Sequence, residues 1–202
     1  MELIVATKNK KKLQEIKDIL KSLKLRISSL ADYGINPRII ENGKSFKENA
    51  VKKAVKVACV TGCLSLGEDS GLCVEALDGA PGIYSARFSG KNKDDSRNNA
   101  KLLKLLKGLP LKKRKAHYVC AVALADKDGL IGIVEGKCNG LIGFELKGRY
   151  GFGYDPLFVI PKFNKTFAEL GEGIKHKMSH RYHALEKAKD IIKKYIVKHK
   201  CD

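Results

Sequence analysis

The chain has 202 residues, is 44% hydrophobic and carries 40 Lys and Arg against 22 Asp and Glu, a formal net charge of +18. That length suits one domain, residues 1–202, with a real core, and no apolar run approaches the ~20 residues a membrane span needs. The opening Met1-Glu2-Leu3-Ile4-Val5-Ala6 has no basic leader region, which points to a cytoplasmic location.

The six cysteines are Cys59, Cys63, Cys73, Cys120, Cys138 and Cys201. None forms a C-x-x-C pair, so they read as buried or incidental thiols and not as metal ligands. The basic excess is mostly lysine, spread over 8–12, 52–56, 101–115 and 187–200. Lysine on exposed helix faces explains most of it, and affinity for nucleic acid is not required.

In chain order, residues 2–6 read as a short buried strand, and Thr7 to Lys12 turn the chain into a helix. Leu13, Ile16, Leu20 and Leu23 give that helix one apolar stripe. Residues 25–30 predict a second strand, and 32–43 a loop punctuated by Gly34, Pro37 and Gly43. Ser45 and Glu48 have capping-box spacing before a helix that turns Ala50, Val51, Ala54, Val55 and Ala58 inward, with Gly62 as its stop. An apolar strand then leads to Gly67-Glu68-Asp69-Ser70-Gly71, read as a tight turn at a strand end, before a further segment at 72–76. Residues 79–90 are loop. Asp94 or Asp95 caps a helix running to about Lys107. Residues 116–125 and 130–135 pair as a hairpin about Asp126-Lys127-Asp128-Gly129. The stretch 140–153 is glycine-rich, 157–160 a short strand, 166–170 a helical turn, and 179–198 a last amphipathic helix with Leu185, Ala188, Ile192 and Tyr195 inward. The pattern predicts a mixed α/β protein and suits two lobes with a cleft between them.

Four constellations carry chemistry. Thr7-Lys8-Asn9-Lys10-Lys11-Lys12 places cations and backbone N–H groups at a helix start, which suits an anion, although no P-loop pattern is present. Glu41 and Glu68-Asp69 supply hard oxygen donors of the kind Mg²⁺ takes sparingly beside water and phosphate. Phe152-Gly153-Tyr154-Asp155, followed by Pro156, offers glycine for close backbone approach and aromatics to wall a base. Lys175 and Ser179-His180-Arg181 put cations at the start of the last helix, against its dipole.

In this order these pieces resemble the inosine/xanthosine triphosphate pyrophosphatases of the Ham1-like family. The matching residues are Thr7-x-Asn9-x-x-Lys12, Ser45-Phe46-x-Glu48-Asn49-Ala50, Glu68-Asp69-Ser70-Gly71-Leu72, Gly79 to Arg87, Phe152 to Pro156 and Ser179-His180-Arg181. The resemblance implies an elongated α/β mixed-sheet fold with two lobes flanking a central substrate cleft, Mg²⁺ dependence and a homodimer. It implies hydrolysis of ITP, dITP and XTP to the monophosphate and pyrophosphate. By position, Thr7, Asn9 and Lys12, with the neighbouring Lys8, Lys10 and Lys11, would hold the triphosphate. Asp69 would be the base and, with Glu41 and Glu68, serve the metal. Ser70 would touch substrate, and Phe152, Gly153, Tyr154, Asp155, Lys175, His180 and Arg181 would form the base and phosphate pocket.

The chemistry expected is attack on the α-phosphorus, with the purine 6-oxo group accepting from Arg181 or a backbone N–H; a 6-amino group would leave those donors unpaired. A basic nucleic-acid-binding module is the rival reading. It would call for Arg-rich, aromatic-studded clusters, which the sequence lacks.

Overall fold

The computed structural model describes residues 1–35 and 37–199. Cys201, one of the six thiols, lies outside the described residues. The strands are β1 (Glu2–Val5), β2 (Arg26–Ser29), β3 (Leu64–Val74), β4 (Lys115–Asp126), β5 (Gly129–Ile142), β6 (Phe158–Ile160) and β7 (Lys165–Thr166). The helices are α1 (Lys10–Leu20), α2 (Phe46–Thr61), α3 (Asp95–Leu105), α4 (Phe167–Leu170), α5 (Glu172–Met178) and α6 (His180–Lys198). Among the described residues the strands form one mixed sheet in the order β2-β1-β3-β4-β5-β6-β7. β1 is parallel to both β2 and β3, while β6 is antiparallel to β5 and β7. The fold is mixed α/β, as the sequence predicts.

The chain divides into two compact units, Met1–Asp69 with Cys120–Gly136 and Arg181–Asp202, and Ser70–Val119 with Lys137–His180. In the first unit the sheet is covered on both faces. The strand period of two sorts the side chains of β4: Cys120, Val122 and Leu124 join Leu64 and Leu66 of β3, Ile16 and Leu20 of α1 and Leu185, Ala188 and Ile192 of α6. The alternate residues Ala121, Ala123 and Ala125 face Ala50, Ala54 and Ala58 of α2. The fully buried residues of this contact are all alanine, which lets helix and sheet approach closely. In the second unit Leu72, Val74, Leu102, Leu106, Tyr118, Phe158 and Phe167 make the core.

The structure corrects the sequence reading in three places. The segment Gly67 to Gly71 is not a turn: β3 runs unbroken from Leu64 to Val74. Its glycine answers a close approach, because a Cβ at Gly67 would overlap the Ala50 carbonyl oxygen and the Ala54 nitrogen of α2. β5 likewise continues through Gly140 to Ile142, seven residues beyond the predicted end. At Gly140 a Cβ would lie 2.6 Å from both Phe158 Cζ and the Val159 oxygen. Finally, the predicted capping box of α2 is one-sided. The Ser45 hydroxyl accepts from Glu48 N at 3.2 Å, but the Glu48 carboxylate reaches past the cap to accept from Lys44 N at 2.9 Å.

Candidate active site

Because β3 is extended through the acidic pair, Glu68 and Asp69 project to opposite faces of the sheet. Asp69 turns toward α2, where Asn49 and Lys53 stand one helical turn apart on the same face. Asn49 Nδ2 donates to Asp69 Oδ2 at 3.1 Å, and Lys53 Nζ donates to Asp69 Oδ1 at 3.1 Å. The same ammonium lies 2.8 Å from Glu41 Oε2 and donates to the Glu68 carbonyl at 3.1 Å. Lys53 thereby draws Glu41, on the segment before α2, to the same point as Asp69. Burial alone would lower the Lys53 ammonium, but the Asp69 and Glu41 carboxylates outweigh it and raise it above its ordinary 10.5. Asp69 is buried, whereas the Glu41 side chain keeps 40% of its exposure, so this carboxylate group has one open side.

Glu68 occupies the other face. Its Oε1 accepts from Arg181 Nη2 at 3.0 Å, from Lys12 Nζ at 3.4 Å and from the Cys120 thiol at 3.5 Å. Arg181 Nη1 donates to Glu15 of α1. The guanidinium is 1% exposed, so two carboxylates balance one deeply buried cation. Burial opposes that charge, yet Glu68 and Glu15 hold Arg181 protonated more firmly than in water. Burial, reinforced by Glu68, pushes the Cys120 thiol well above its ordinary range and keeps it a donor. At the start of α1 the Asn9 carboxamide accepts from Lys11 N at 3.0 Å and Lys12 N at 3.1 Å, and Thr7 Oγ1 accepts from Asn9 N at 3.2 Å. Asn9 is thus the N-cap of α1. Lys8, Lys10 and Lys11 are exposed around it.

The second unit holds a separate arrangement. Lys175 Nζ donates to Asp155 Oδ2 at 2.8 Å and stands 4.3 Å from the centre of the Phe152 ring. Asp155 Oδ2 also accepts from Phe152 N at 2.8 Å. Gly151, at φ +80°, has no room for a Cβ against that carboxylate. The peptide groups of Gly153 are clamped by α3: Gly153 N donates to Asp95 Oδ2 at 2.7 Å, and Asn99 Nδ2 donates to the Gly153 carbonyl at 2.9 Å. Asp94, not Asp95, caps α3. The Tyr154 hydroxyl donates to the Ser85 carbonyl at 2.9 Å. His180 is buried and stacks on Tyr118, with ring centres 4.5 Å apart. Ser70 is half-buried within β3.

A sequence model of the Ham1 family matches residues 3–191. The chain belongs to the Ham1 family. It is 47% identical to the dITP/XTP pyrophosphatase of Desulforamulus reducens over 197 residues, 98% of each chain. It is 49% identical to that of Exiguobacterium sibiricum over 187 residues, 93% of this chain and 94% of the other. Among solved structures, the Ham1 protein of Staphylococcus aureus superposes with a TM-score of 0.86 at 33% identity, over 96% of this chain and 100% of the other.

Among the residues of this Ham1 chain that escaped the sequence reading of its sites are Lys53, Asn49 and Glu15. Each had a legible signal. Lys53 and Asn49 share the helix face of Ala50, Ala54 and Ala58, and Glu15 adjoins Ile16 on the apolar stripe of α1. A polar side chain on an inward face asks for a buried partner. Of the predicted residues, the structure joins Asp69 to Glu41 through Lys53, and Glu68 to Lys12 and Arg181. It does not put Glu68 and Asp69 on one face.

Asp69 and Glu41 fit a divalent ion by donor type, since Mg²⁺ takes one or two carboxylates and fills its shell with water and phosphate. Among the described residues no group of three or more His, Cys, Asp or Glu could enclose an ion alone.

Proposed function

We propose that the protein is a hydrolase that cleaves the non-standard purine nucleoside triphosphates ITP, dITP and XTP to monophosphate and pyrophosphate. The observation carrying this reading is the meeting of Asp69 and Glu41 at Lys53, in a chain nearly half identical to dITP/XTP pyrophosphatases. A triphosphate brings about four negative charges, which must be balanced before a nucleophile approaches. Lys8, Asn9, Lys10, Lys11 and Lys12, entered from Thr7, hold the phosphates at the start of α1. Asp69 and Glu41 would hold a divalent ion, with Mg²⁺ as the ion proposed; bound there, it would neutralise charge and polarise phosphate oxygens. Asp69 accepts a proton from the attacking water. Glu68, turned to the opposite face, orients Lys12 and Arg181 and is left out of the ligand set.

Ser70 touches the substrate. Phe152, Gly153, Tyr154 and Asp155, with Lys175 and His180, receive the base. Both terminal nitrogens of Arg181 already serve Glu15 and Glu68, so a backbone N–H is the better reader of the 6-oxo group, and Arg181 acts as a fixed charge. A 6-amino base would confront that donor with another donor.

We read residues 1–202 as one functional domain, because the family match extends over residues of both units. A cytoplasmic location and a homodimer belong to the same reading. The first is supported by the described cysteines, none of which is joined in a disulfide, and the second by Phe144 and Leu146, exposed two residues apart. No described helix is long and apolar enough to cross a membrane. Nothing observed favours the nucleic-acid-binding alternative.

The test is pyrophosphate release from ITP, dITP, XTP, ATP and GTP with and without Mg²⁺. Turnover should be Mg²⁺-dependent and confined to the first three. Asp69→Asn should lower kcat by about a thousandfold while leaving the thermal midpoint within a few degrees. Turnover of none of the five by the natural protein would refute the reading, and near-normal hydrolysis by the variant would remove Asp69 as the base.

A further inference from the structure

Asn49 is 1% exposed and uses both ends of its carboxamide. Its Nδ2 donates to Asp69 Oδ2 at 3.1 Å, and its Oδ1 accepts from Gly43 N at 2.8 Å. Gly43 is itself pressed against this side chain, since a Cβ there would lie 2.7 Å from Asn49 Oδ1 and 2.8 Å from Glu48 Cβ. Gly43 follows Glu41 by two residues. One amide therefore touches the carboxylate proposed as base and pins the segment bearing the second proposed ligand. Lys53, one turn further along α2, ties the same two acids by charge. Lysine alone would leave the carboxylate plane of Asp69 free to turn, because an ammonium is a point charge with rotatable donors. An amide has one donor end and one acceptor end in fixed order, so it sets orientation as well as distance.

We infer that Asn49 is a positioning residue for the reaction: it fixes the Asp69 carboxylate and the Glu41 segment in one arrangement. The inference rests on the pyrophosphatase reading above. No other uncharged side chain of similar length has a donor and an acceptor so placed. Aspartate keeps the acceptor for Gly43 N but turns a like charge toward Asp69. Leucine keeps the volume and removes both bonds.

Two variants separate the two bonds. Asn49→Asp and Asn49→Leu should each lower kcat for ITP by about a hundredfold and weaken Mn²⁺ binding, followed by electron paramagnetic resonance without substrate, by about tenfold, with KM changed little. Hydrogen exchange of the Gly43 amide should stay slow in Asn49→Asp and speed up by at least about tenfold in Asn49→Leu. A side chain that served folding alone would leave Mn²⁺ affinity unchanged in the folded fraction. Should the aspartate variant fail to fold, the leucine variant carries the test.

A folded variant with kcat within about twofold of the natural protein and unchanged Mn²⁺ affinity would overturn the inference. If the natural protein releases no pyrophosphate from ITP, the functional reading fails first. In that case the Gly43 exchange and the Mn²⁺ titration still report whether Asn49 organises these acids.

Discussion

Gly67 shows how a single residue sets the site. It lies one residue before Glu68, inside a strand buried on both faces, where α2 comes close enough to exclude a Cβ. That approach is what brings Asn49 and Lys53 within hydrogen-bonding distance of Asp69. Gly67→Ala should destabilise the fold by about 3 kcal/mol, because the overlapped atoms are backbone and cannot rotate away. It should also reduce activity more than stability predicts, since α2 would be displaced from Asp69. Chemical denaturation beside ITP turnover checks both; a variant of normal stability would show that α2 yields without cost. The reading of Gly67-Glu68-Asp69-Ser70-Gly71 as a turn failed for this reason. Two glycines flanking polar residues signal a turn when only the local chain is considered. Here the first answers Ala50 and Ala54 of the preceding helix, which the local chain does not reveal.

Among the described α-helices, α4 is the shortest, and a reciprocal box caps its start. Thr166 Oγ1 accepts from Glu169 N at 3.1 Å, and the Glu169 carboxylate accepts from Thr166 N at 2.8 Å. The Thr166 hydroxyl also donates to the Lys147 carbonyl at 2.9 Å, binding α4 to the segment after β5. The Thr166 amide holds the Glu169 carboxyl below its ordinary 4.5. Thr166→Ala should therefore cost about 1–2 kcal/mol, the loss of an N-cap together with a buried hydrogen bond. Thr166→Ser should restore most of it. Equal denaturation midpoints for the alanine variant and the natural protein would contradict this account. The sequence reading saw a helical turn here but not the box. For α2 it saw a box where the structure has only half of one. Spacing identifies candidates for reciprocal caps, and the backbone path one residue earlier decides which amide the carboxylate reaches.

For the molecule as a whole, ionisation sets an alkaline limit. Burial raises Tyr118 well above its ordinary 10.0 and Cys120 well above 9.0, and pushes Cys138 up to about 11. Lys53 is raised above 10.5, its carboxylate partners overcoming burial. Each group holds its proton more tightly folded than unfolded. Their contribution to stability is complete below the unfolded values and is lost as pH climbs through the folded ones. The thermal midpoint should accordingly hold steady through neutrality and begin to fall above about pH 9, more steeply beyond about pH 10. A midpoint that stays level to pH 11 would count against these burial effects. The net charge of +18 opposes compaction uniformly across the neutral range and so produces no step there.

Much of this protein was determined by sequence alone. The mixed α/β class, the periods of α1, α2 and α6, the hairpin about Asp126 to Gly129 and the residue types of the candidate site all follow from local pattern and composition. Local pattern suffices there because helix and strand periods, caps and tight turns depend on neighbours in the chain. What tertiary structure decided was which of those residues meet. It carried β3 through the acidic pair, sending Asp69 toward Asn49 and Lys53 and Glu68 toward Arg181 and Glu15. Residues 15, 53 and 181 are far apart in the chain. Only the packing of α1, α2 and α6 on the two faces of one strand brings their charges to a single acidic pair and divides that pair between them.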